Sequence, residues 1–172
     1  STSLIKWVND IYLNDRKVCG ILTEAHLPNG ENERGSVVVG IGINVYEPDG
    51  GFPEGIVNKA GFIISAEKAD EKAAESADEI PGKNPGLRSK LAAEAICNFF
   101  HYLERQDESL KIYREKSNLI GERIMINSFS GDNVPLKHAT VLGIDDDCGL
   151  IVKYEDGTTK VLSSGEVSVV KE

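Results

Sequence analysis

The sequence has few cysteines and histidines, and they are not grouped. Its three cysteines (Cys19, Cys97 and Cys148) and its three histidines are far apart along the chain. An odd number of widely spaced cysteines excludes a disulfide framework and a CxxC metal pattern. We therefore expect no metal site built from cysteine and histidine, and reduced thiols that fit a cytoplasmic location. Cys19 and Cys97 lie among apolar residues, which predicts two small buried hydrophobes.

Long apolar runs and clusters of basic residues are also missing. No run approaches the roughly 20 apolar residues that span a bilayer, so we expect no membrane partner. The 172 residues carry a net charge of −9, and no Lys/Arg cluster would neutralise nucleic-acid phosphates. We expect no nucleic-acid partner either. A hydrophobic content of 40% with 27% charged residues is that of a globular chain with one substantial core, or one domain and a small appendage.

What is present begins with a polar hairpin signal in residues 6–24, KWVNDIYLNDRKVCGILTE. Apolar residues flank the dipeptide Asn14–Asp15, which suits a tight turn. The pair Asn9–Asp10 precedes the turn, and Lys17 begins the returning strand. An ammonium group beside such a pair is suited to binding a carboxylate or a phosphate. A surface lysine that merely follows a turn explains the same residues at least as well.

A second signal is Val37–Ile43, which predicts a fully buried strand because its apolar residues are interrupted only by Gly40 and Gly42. Glycines at alternate positions leave one face of a strand bare. Either a flat ligand or a closely packed neighbouring element can lie against such a face. Asn44 ends this strand.

The second half of the chain changes from helical to strand patterns. An apolar stripe predicts a core helix over Leu87–Leu103, and a second helix is expected at about Asp107–Ser117. After Gly121 the pattern predicts five short strands, at 123–129, 135–144, 150–154, 159–162 and 167–170. Five such strands in fifty residues are typical of a small barrel or sandwich.

Three motifs in a fixed order carry a resemblance to a known family. KWVNDIYLNDRKVCGILTE resembles the core signature of biotin protein ligases, usually Lys-Trp-Pro-Asn-Asp, a short strand, a turn and Lys-X-X-Gly-Ile-Leu. VVVGIGINV (37–45) resembles the family's next strand, and LSSGEVSV (162–169) its C-terminal element. The resemblance covers essentially the whole chain and implies an α/β (α+β) fold. Residues 1–120 would be the C-terminal part of a catalytic domain like that of class II aminoacyl-tRNA synthetases, and residues 121–172 a small SH3-like β-barrel.

The resemblance implies an ATP-dependent ligase. Such an enzyme makes biotinyl-5′-adenylate from biotin and ATP, with Mg²⁺, and transfers biotin to a lysine of a biotin carboxyl carrier protein. The residues that match the family's site are Lys17 and Asp10 for catalysis, Lys17, Gly20, Ile21, Gly42 and Ile43 for biotin, and Asn9, Asn44 and Glu166 for the nucleotide. Asp10 or Asn44 is the implied magnesium ligand, and a homodimer is a further expectation.

The sequence also departs from the family pattern. Val8 stands where proline is usual, and Val170 stands near where an arginine commonly follows SGEVSV. The family's Gly-Arg-rich loop, which closes over biotin, does not occur in these 172 residues. We therefore expect a fragment or truncated member that binds biotin and ATP weakly by itself. Two alternatives stay open: a non-catalytic remnant or partner module that dimerises or docks an acceptor, and a lipoate ligase relative, which KWVND and SGEVSV disfavour.

Overall fold

The computed structural model describes residues 2–28, 34–64, 85–128, 137–163 and 167–171. The strands in these ranges are β1 (Leu4–Lys6), β2 (Asp10–Leu13), β3 (Arg16–His26), β4 (Ser36–Ile43), β5 (Arg123–Ser128), β6 (Lys137–Ile144), β7 (Leu150–Tyr154), β8 (Thr159–Leu162) and β9 (Val167–Lys171). The helices are α1 (Pro85–Leu103) and α2 (Gln106–Lys116). Neither helix is long and apolar enough to cross a membrane.

The chain divides into two compact units. Unit 1 comprises Ser1–Ser3 and Asn9–Cys97, and unit 2 comprises Leu4–Val8 and Asn98–Glu172. The short segment that contains Trp7 therefore belongs to unit 2, although it immediately precedes the first residues of unit 1 along the chain. The domain boundary between residues 120 and 121 stays a prediction.

Unit 1 is organised around the predicted hairpin. β3 lies between β2 and β4 and pairs antiparallel with both. Asn14 and Asp15 form the turn with φ of 51° and 60°, which is the mirror-image geometry that the right-handed twist of a two-stranded ribbon prefers. Short polar side chains tolerate this left-handed conformation. The hairpin prediction is confirmed.

Two predictions of burial, for the strand β4 and the helix α1, are wrong. β4 is present but not buried, since Val37 and Val38 are 62% and 63% exposed. α1 spans the predicted helix, yet it is no core helix, because Ile96 and Phe100 are 59% and 62% exposed. A hydrophobic period identifies an apolar face, but it does not say whether another element covers that face.

Cys97 lies on this same helix and is exposed, so its prediction as a buried hydrophobe is also wrong. Cys19 is buried, as predicted.

Unit 2 contains the predicted small barrel. Its five strands pair antiparallel in the order β8-β7-β6-β5-β9, and the bounds of all five agree with the sequence prediction to within two residues. One cluster of buried side chains fills it: Trp7, Leu119, Ile124, Ile126, Ala139, Val141, Ile144, Leu150, Val152 and Leu162. The mixed α/β character and the strand-rich C-terminal part confirm the fold class.

Polar contacts fix the segment 4–8 within unit 2. The Trp7 indole Nε1–H donates to the carbonyl oxygen of Cys148 at 2.9 Å, and the Tyr113 hydroxyl donates to the carbonyl oxygen of Val8 at 2.8 Å. The Trp7–Val8 peptide bond is cis. Burial raises the pKa of Tyr113 well above its ordinary value, with a smaller contribution from Cys148.

The turn after β6 is held by the Asp145 carboxylate, which accepts hydrogen bonds from the amides of Asp147 and Gly149 at 3.0 and 2.7 Å.

Candidate functional site

A β-bulge decides where Lys17 lies. Along the β2–β3 ladder Asp10 pairs with Gly20 and Ile11 with Cys19, but Tyr12 then pairs with Lys17, which leaves Val18 as an extra residue. In a regular strand, residues three apart point to opposite faces. Because the bulge adds one residue to β3 between Lys17 and Gly20, both residues point to the same face of the sheet. Re-aiming a side chain is a common role of bulges next to functional sites.

On that face Lys17 forms an ion pair with Asp10. The Lys17 Nζ atom lies 2.5 Å from Asp10 Oδ1, and both side chains are partly exposed. A Cβ atom added to Gly20 would lie 3.2 Å from both Cε and Nζ of the lysine. Gly20 therefore provides the room in which the end of the lysine side chain rests. The pair is accessible, charged and held at one place on the sheet.

The backbone of Lys17 is clamped from its other side by residues 59–61. Its amide donates to the carbonyl oxygen of Lys59, and its carbonyl oxygen accepts from the amide of Gly61, both at 2.8 Å. Gly61 permits this close approach, because a Cβ atom there would lie 2.6 Å from Cβ of Arg16. The Arg16 guanidinium donates to the carbonyl oxygen of Val57 at 3.0 Å. The clamp preorganises the backbone from which the lysine side chain extends.

The two predicted asparagines have different surroundings. The Asn9 side chain donates to the carbonyl oxygen of Ile21, and the Ile21 amide donates back to the Asn9 carbonyl oxygen at 2.9 Å. Asn44 donates from its side-chain amide to the carbonyl oxygen of Gly61 at 3.0 Å. Both asparagines thus hold backbone segments together around Lys17.

A row of bare backbone runs beside the ion pair. Gly20 is directly opposite Asp10 on one neighbouring strand and opposite Gly42 on the other. The next pair on this face is Leu22 with Gly40, so on β4 the bare row continues at Gly40 and on β3 it ends at the Leu22 side chain. A Cβ atom at Gly40 or Gly42 would have only a backbone carbonyl oxygen within 4 Å, at 3.8 Å. The surface over Gly20, Gly40 and Gly42 is open, and a ring system can lie on it beside the Leu22 side chain.

Two cavities share the Lys17–Asp10 pair. The glycine cavity, of about 530 Å³, is lined by Asn9, Asp10, Lys17, Gly20, Ile21, Leu22, Gly40, Ile41 and Gly42. The lysine cavity, of about 660 Å³, is lined by Asp10, Tyr12, Lys17, Cys19, Gly20, Gly42, Ile43, Asn44, Ile56, Lys59 and Ala60. Both volumes are in the range of small-molecule sites. The arrangement can hold two ligands whose reacting ends meet at the ion pair.

The other titratable groups here are not suited to nucleophilic chemistry. Burial raises the pKa of the Cys19 thiol and of the Tyr12 hydroxyl, and the nearby Asp10 carboxylate adds to both shifts against a smaller opposing effect of Lys17. The thiolate is the reactive form of cysteine. A raised pKa keeps Cys19 protonated and unreactive at neutral pH, so the chemistry of the site rests on Lys17 and Asp10.

The donor set does not form a metal cage. The described residues contain no group of three or more His, Cys, Asp or Glu that could hold an ion. Asp10 is ion-paired with Lys17, and the Asn44 amide nitrogen is bound to Gly61. Magnesium often binds through one or two carboxylates together with substrate phosphates. This site could hold magnesium only in that way, through Asp10 together with the phosphates of a bound nucleotide.

The structure brings together most of the residues that the sequence predicts. Lys17, Asp10, Gly20 and Gly42 lie on one face, with Asn9 and Asn44 at its borders. Ile21 borders the glycine cavity and Ile43 the lysine cavity, although strand alternation turns their side chains to the other face of the sheet. Glu166 lies outside the described residues.

Two features were not predicted from the sequence. Lys59 lines the lysine cavity, although it had no recognisable pattern beyond a lysine before Ala-Gly. A third cavity of about 770 Å³ lies between the other face of β4 and α1, and we call it the helix cavity. There the Arg88 guanidinium lies 5.8 Å from the centre of the Tyr46 ring. Both features depend on contacts between distant residues, which local sequence patterns do not report.

Comparisons with known proteins give matches over both parts of the chain. Residues 2–44 match the family model of the biotin/lipoate A/B protein ligase family, and residues 119–170 match that of the biotin protein ligase C terminal domain. The bifunctional ligase/repressor BirA of Bacillus subtilis is 29% identical over 161 residues, which cover 93% of this chain and 44% of that protein. The biotin--[acetyl-CoA-carboxylase] ligase of Mycobacterium tuberculosis is 26% identical over 166 residues, which cover 95% of this chain and 52% of that protein. The chain thus spans about half the length of these relatives.

Solved structures show the same fold. The apo structure of the biotin protein ligase from Aquifex aeolicus aligns with a TM-score of 0.67 at 22% identity, over 99% of this chain and 66% of that one. The same enzyme in complex with biotin and ATP aligns with a TM-score of 0.67 at 23% identity, over 99% and 62% of the two chains. The two family matches show that the chain belongs to the biotin protein ligase family, and the solved structures show that it has the fold of these enzymes.

Proposed function

We propose that this chain carries the adenylate-forming site of a biotin protein ligase. The observation that supports this most is that two cavities of small-molecule size share one accessible lysine–aspartate pair. Biotin would lie on the bare glycine row, and ATP would occupy the lysine cavity. Lys17 then lies where the two substrates meet.

The chemistry requires two anions to approach each other. A carboxylate oxygen of biotin attacks the α-phosphorus of ATP, the bond to the β-phosphate breaks, and pyrophosphate leaves. The amine of an acceptor lysine then attacks the acyl carbon, an amide forms, AMP leaves and a proton is released. The Lys17 ammonium offsets the charge that builds between carboxylate and phosphate, and Asp10 holds that ammonium in place. Magnesium would arrive with the ATP phosphates, near Asp10 or Asn44.

We further propose that the 172-residue chain is weak by itself, with a biotin carboxyl carrier protein as its acceptor. The glycine cavity is open, and the described residues provide no cationic loop above it. The test adds the N-terminal half of a biotin ligase in trans and follows pyrophosphate release with biotin and ATP. A clear gain over the chain alone is expected. Rapid release without the added half contradicts the weak-alone proposal, and no release in either case favours a non-catalytic partner module.

Lys17→Ala tests the role of the lysine in that assay. Removing one preorganised charge from the point where transition-state charge develops should slow pyrophosphate release by about 10²–10³-fold. Lys90→Ala, at an exposed position of α1 outside the cavities, is the matched control. A Lys17→Ala rate within about threefold of the control would reject the assignment, since a transition-state contact is worth more than that.

Lipoate is the second candidate substrate, because the family matched by residues 2–44 includes lipoate ligases. Direct binding of biotin and of lipoate to the same preparation separates the two, with biotin expected to bind more tightly. A cytoplasmic location and a homodimer also stay predictions.

A further inference from the structure

The glycine, lysine and helix cavities described above differ in the charge of their lining residues. The glycine cavity is lined by one lysine and one aspartate, so its net charge is zero. The helix cavity is lined by Glu47, Asp49 and Arg88, which gives a net charge of −1. The lysine cavity is lined by two lysines and one aspartate, which gives +1. In a chain of net charge −9, a positive cavity is the one that attracts a polyanion.

The positive charge of that cavity comes from Lys59. The ammonium of Lys17 is already paired with Asp10 at 2.5 Å, so its charge is largely offset before any ligand enters. Lys59 forms no ion pair or side-chain hydrogen bond with the described residues. Of the two lysines, Lys59 therefore retains the uncompensated charge.

The backbone holds Lys59 at a fixed separation from Lys17. The Lys59 carbonyl oxygen accepts from the Lys17 amide at 2.8 Å, and the Lys59 amide donates to the carbonyl oxygen of Ile56 at 2.8 Å. Ala60, the next residue, is buried at 8% exposure and forms a parallel bridge with Lys17. The clamp that positions the catalytic lysine thus also positions the second one.

We propose that Lys59 binds the β- and γ-phosphates of the nucleoside triphosphate, and the pyrophosphate that leaves. This inference rests on the proposed function and adds a residue to it. A lysine ammonium is a compact charge with three donors and suits a phosphate group. Lys17 faces the α-phosphate and the carboxylate, while Lys59 holds the part of ATP that departs.

The test compares nucleotides that differ only in their phosphates. ATP and AMP are titrated at up to millimolar concentration into the isotope-labelled full chain, and binding is followed by NMR. Lys59→Gln should weaken ATP binding by about tenfold, since a charge-assisted hydrogen bond is lost, and AMP binding by less than about twofold. Lys59→Arg should retain most of the ATP affinity, because the charge remains. Lys90→Gln, an exposed lysine of α1, should match the unchanged chain for both nucleotides.

Salt provides a second readout. The ratio of ATP to AMP affinity in the unchanged chain should fall as ionic strength rises from about 0.05 to about 0.5 M, because screening shortens the reach of the Lys59 charge. In Lys59→Gln that ratio should change less. A purely structural role of Lys59 would weaken ATP and AMP alike and would leave the salt dependence as it was.

The outcomes separate the two proposals. If the unchanged chain binds ATP and Lys59→Gln binds it equally well, the phosphate role is rejected and the proposed function stands. Equal weakening of ATP and AMP also rejects the phosphate role. If neither ATP nor biotin binds at millimolar concentration, to the chain alone or with the N-terminal half of a biotin ligase added, the proposed function fails, and the role of Lys59 fails with it.

Discussion

The two units of this chain differ in composition: unit 2 has the larger buried core, and unit 1 has the candidate site. Ten buried residues fill one cluster in unit 2, and several are completely inaccessible, such as Leu119 and Leu150. Among the described residues of unit 1, only Val18, Cys19 and Ala60 are buried apolar side chains. Unit 1 nevertheless holds the charged pair, the glycine row and the cavities. The barrel is stabilised by its interior, whereas the site is positioned mainly by backbone hydrogen bonds and the room that glycines leave.

The difference follows from what each unit must do. A packed core rejects changes of volume, since interiors are as dense as crystals of small organic molecules. A binding surface must instead keep its apolar faces and backbone open to a ligand or to further polypeptide. The same amino-acid substitution should therefore change stability much more in unit 2 than in unit 1, and three pairs of variants test this.

The largest difference is expected for leucine-to-alanine changes. Leu150→Ala, at 0% exposure in the core of unit 2, should lower the free energy of unfolding by about 2–5 kcal/mol. Leu22→Ala in unit 1, at 64% exposure, should lower it by less than about 0.5 kcal/mol. Urea unfolding followed by circular dichroism measures both. An equal loss of unfolding free energy in the two variants would show that Leu22 is as well packed as Leu150, which contradicts the proposed difference between the two units.

Glycine-to-alanine changes should come next. A Cβ atom at Gly149 would lie 2.5 Å from Cγ1 of Val161, so Gly149→Ala should lower the unfolding free energy by about 1–3 kcal/mol through overpacking. A Cβ atom at Gly20 meets only the flexible end of Lys17 and the Asp10 carboxylate, at 3.2 and 3.6 Å. Gly20→Ala should therefore leave stability nearly unchanged and displace the lysine, which weakens biotin binding by about tenfold.

Gly40→Ala is the control for this pair. It adds a methyl group to the same bare face, but its Cβ meets only the carbonyl oxygen of Leu22, so Lys17 keeps its position. Pyrophosphate release in the assay with the added half should fall more in Gly20→Ala than in Gly40→Ala. An equal fall would assign the effect to the blocked face and not to the lysine.

The smallest effect is expected from pH. Burial raises the pKa of Tyr113 above its ordinary value of 10.0 in the folded chain. The unfolded chain therefore releases this proton at a lower pH than the folded chain does. The stability contributed by the protonated hydroxyl is complete below pH 10 and is lost as the pH rises above it. The unfolding free energy of the unchanged chain should fall from about pH 9 to about pH 11 by up to about 1 kcal/mol, and less in Tyr113→Phe.

That experiment bears on unit 2 because the Tyr113 hydroxyl donates to Val8 within that unit. Tyr12 of unit 1 has a raised pKa as well, so Tyr12→Phe is the matched variant. If Tyr12→Phe removes more of the alkaline loss than Tyr113→Phe, the tighter packing of unit 2 is not what governs this property.

Local patterns in the sequence predicted the elements well. The Asn14–Asp15 turn, both helices and all five strands of the barrel followed from turn residues and hydrophobic periods, which depend on neighbours a few residues apart. The burial of β4 and α1 was predicted wrongly, because the same periods carry no information on whether a facing element is present. The hairpin pattern placed Lys17 beside the Asn9–Asp10 pair, but a surface lysine explained the same residues at least as well, and only the family resemblance favoured a site.

What the sequence could not predict is long-range. The bulge at Val18 depends on how two strands align, and without it Lys17 would lie on the opposite face from Gly20. The clamp between Lys17 and residues 59–61 joins segments more than forty residues apart. The assignment of Trp7 to the core of unit 2 depends on a hydrogen bond to Cys148, 141 residues away. Single-residue propensities carry no information on the bulge, the clamp or the hydrogen bond of Trp7.

The position of Trp7 has a practical consequence for every optical measurement on this chain. It is the single tryptophan, and it is 6% exposed within the core of unit 2. Intrinsic fluorescence therefore reports the melting of the barrel, while ligand entry or local opening in unit 1 need not alter the emission. A titration that shows no spectral change is not proof that biotin or ATP failed to bind. A fluorescent group introduced in unit 1, beside the cavities and not within them, would be needed to observe the site.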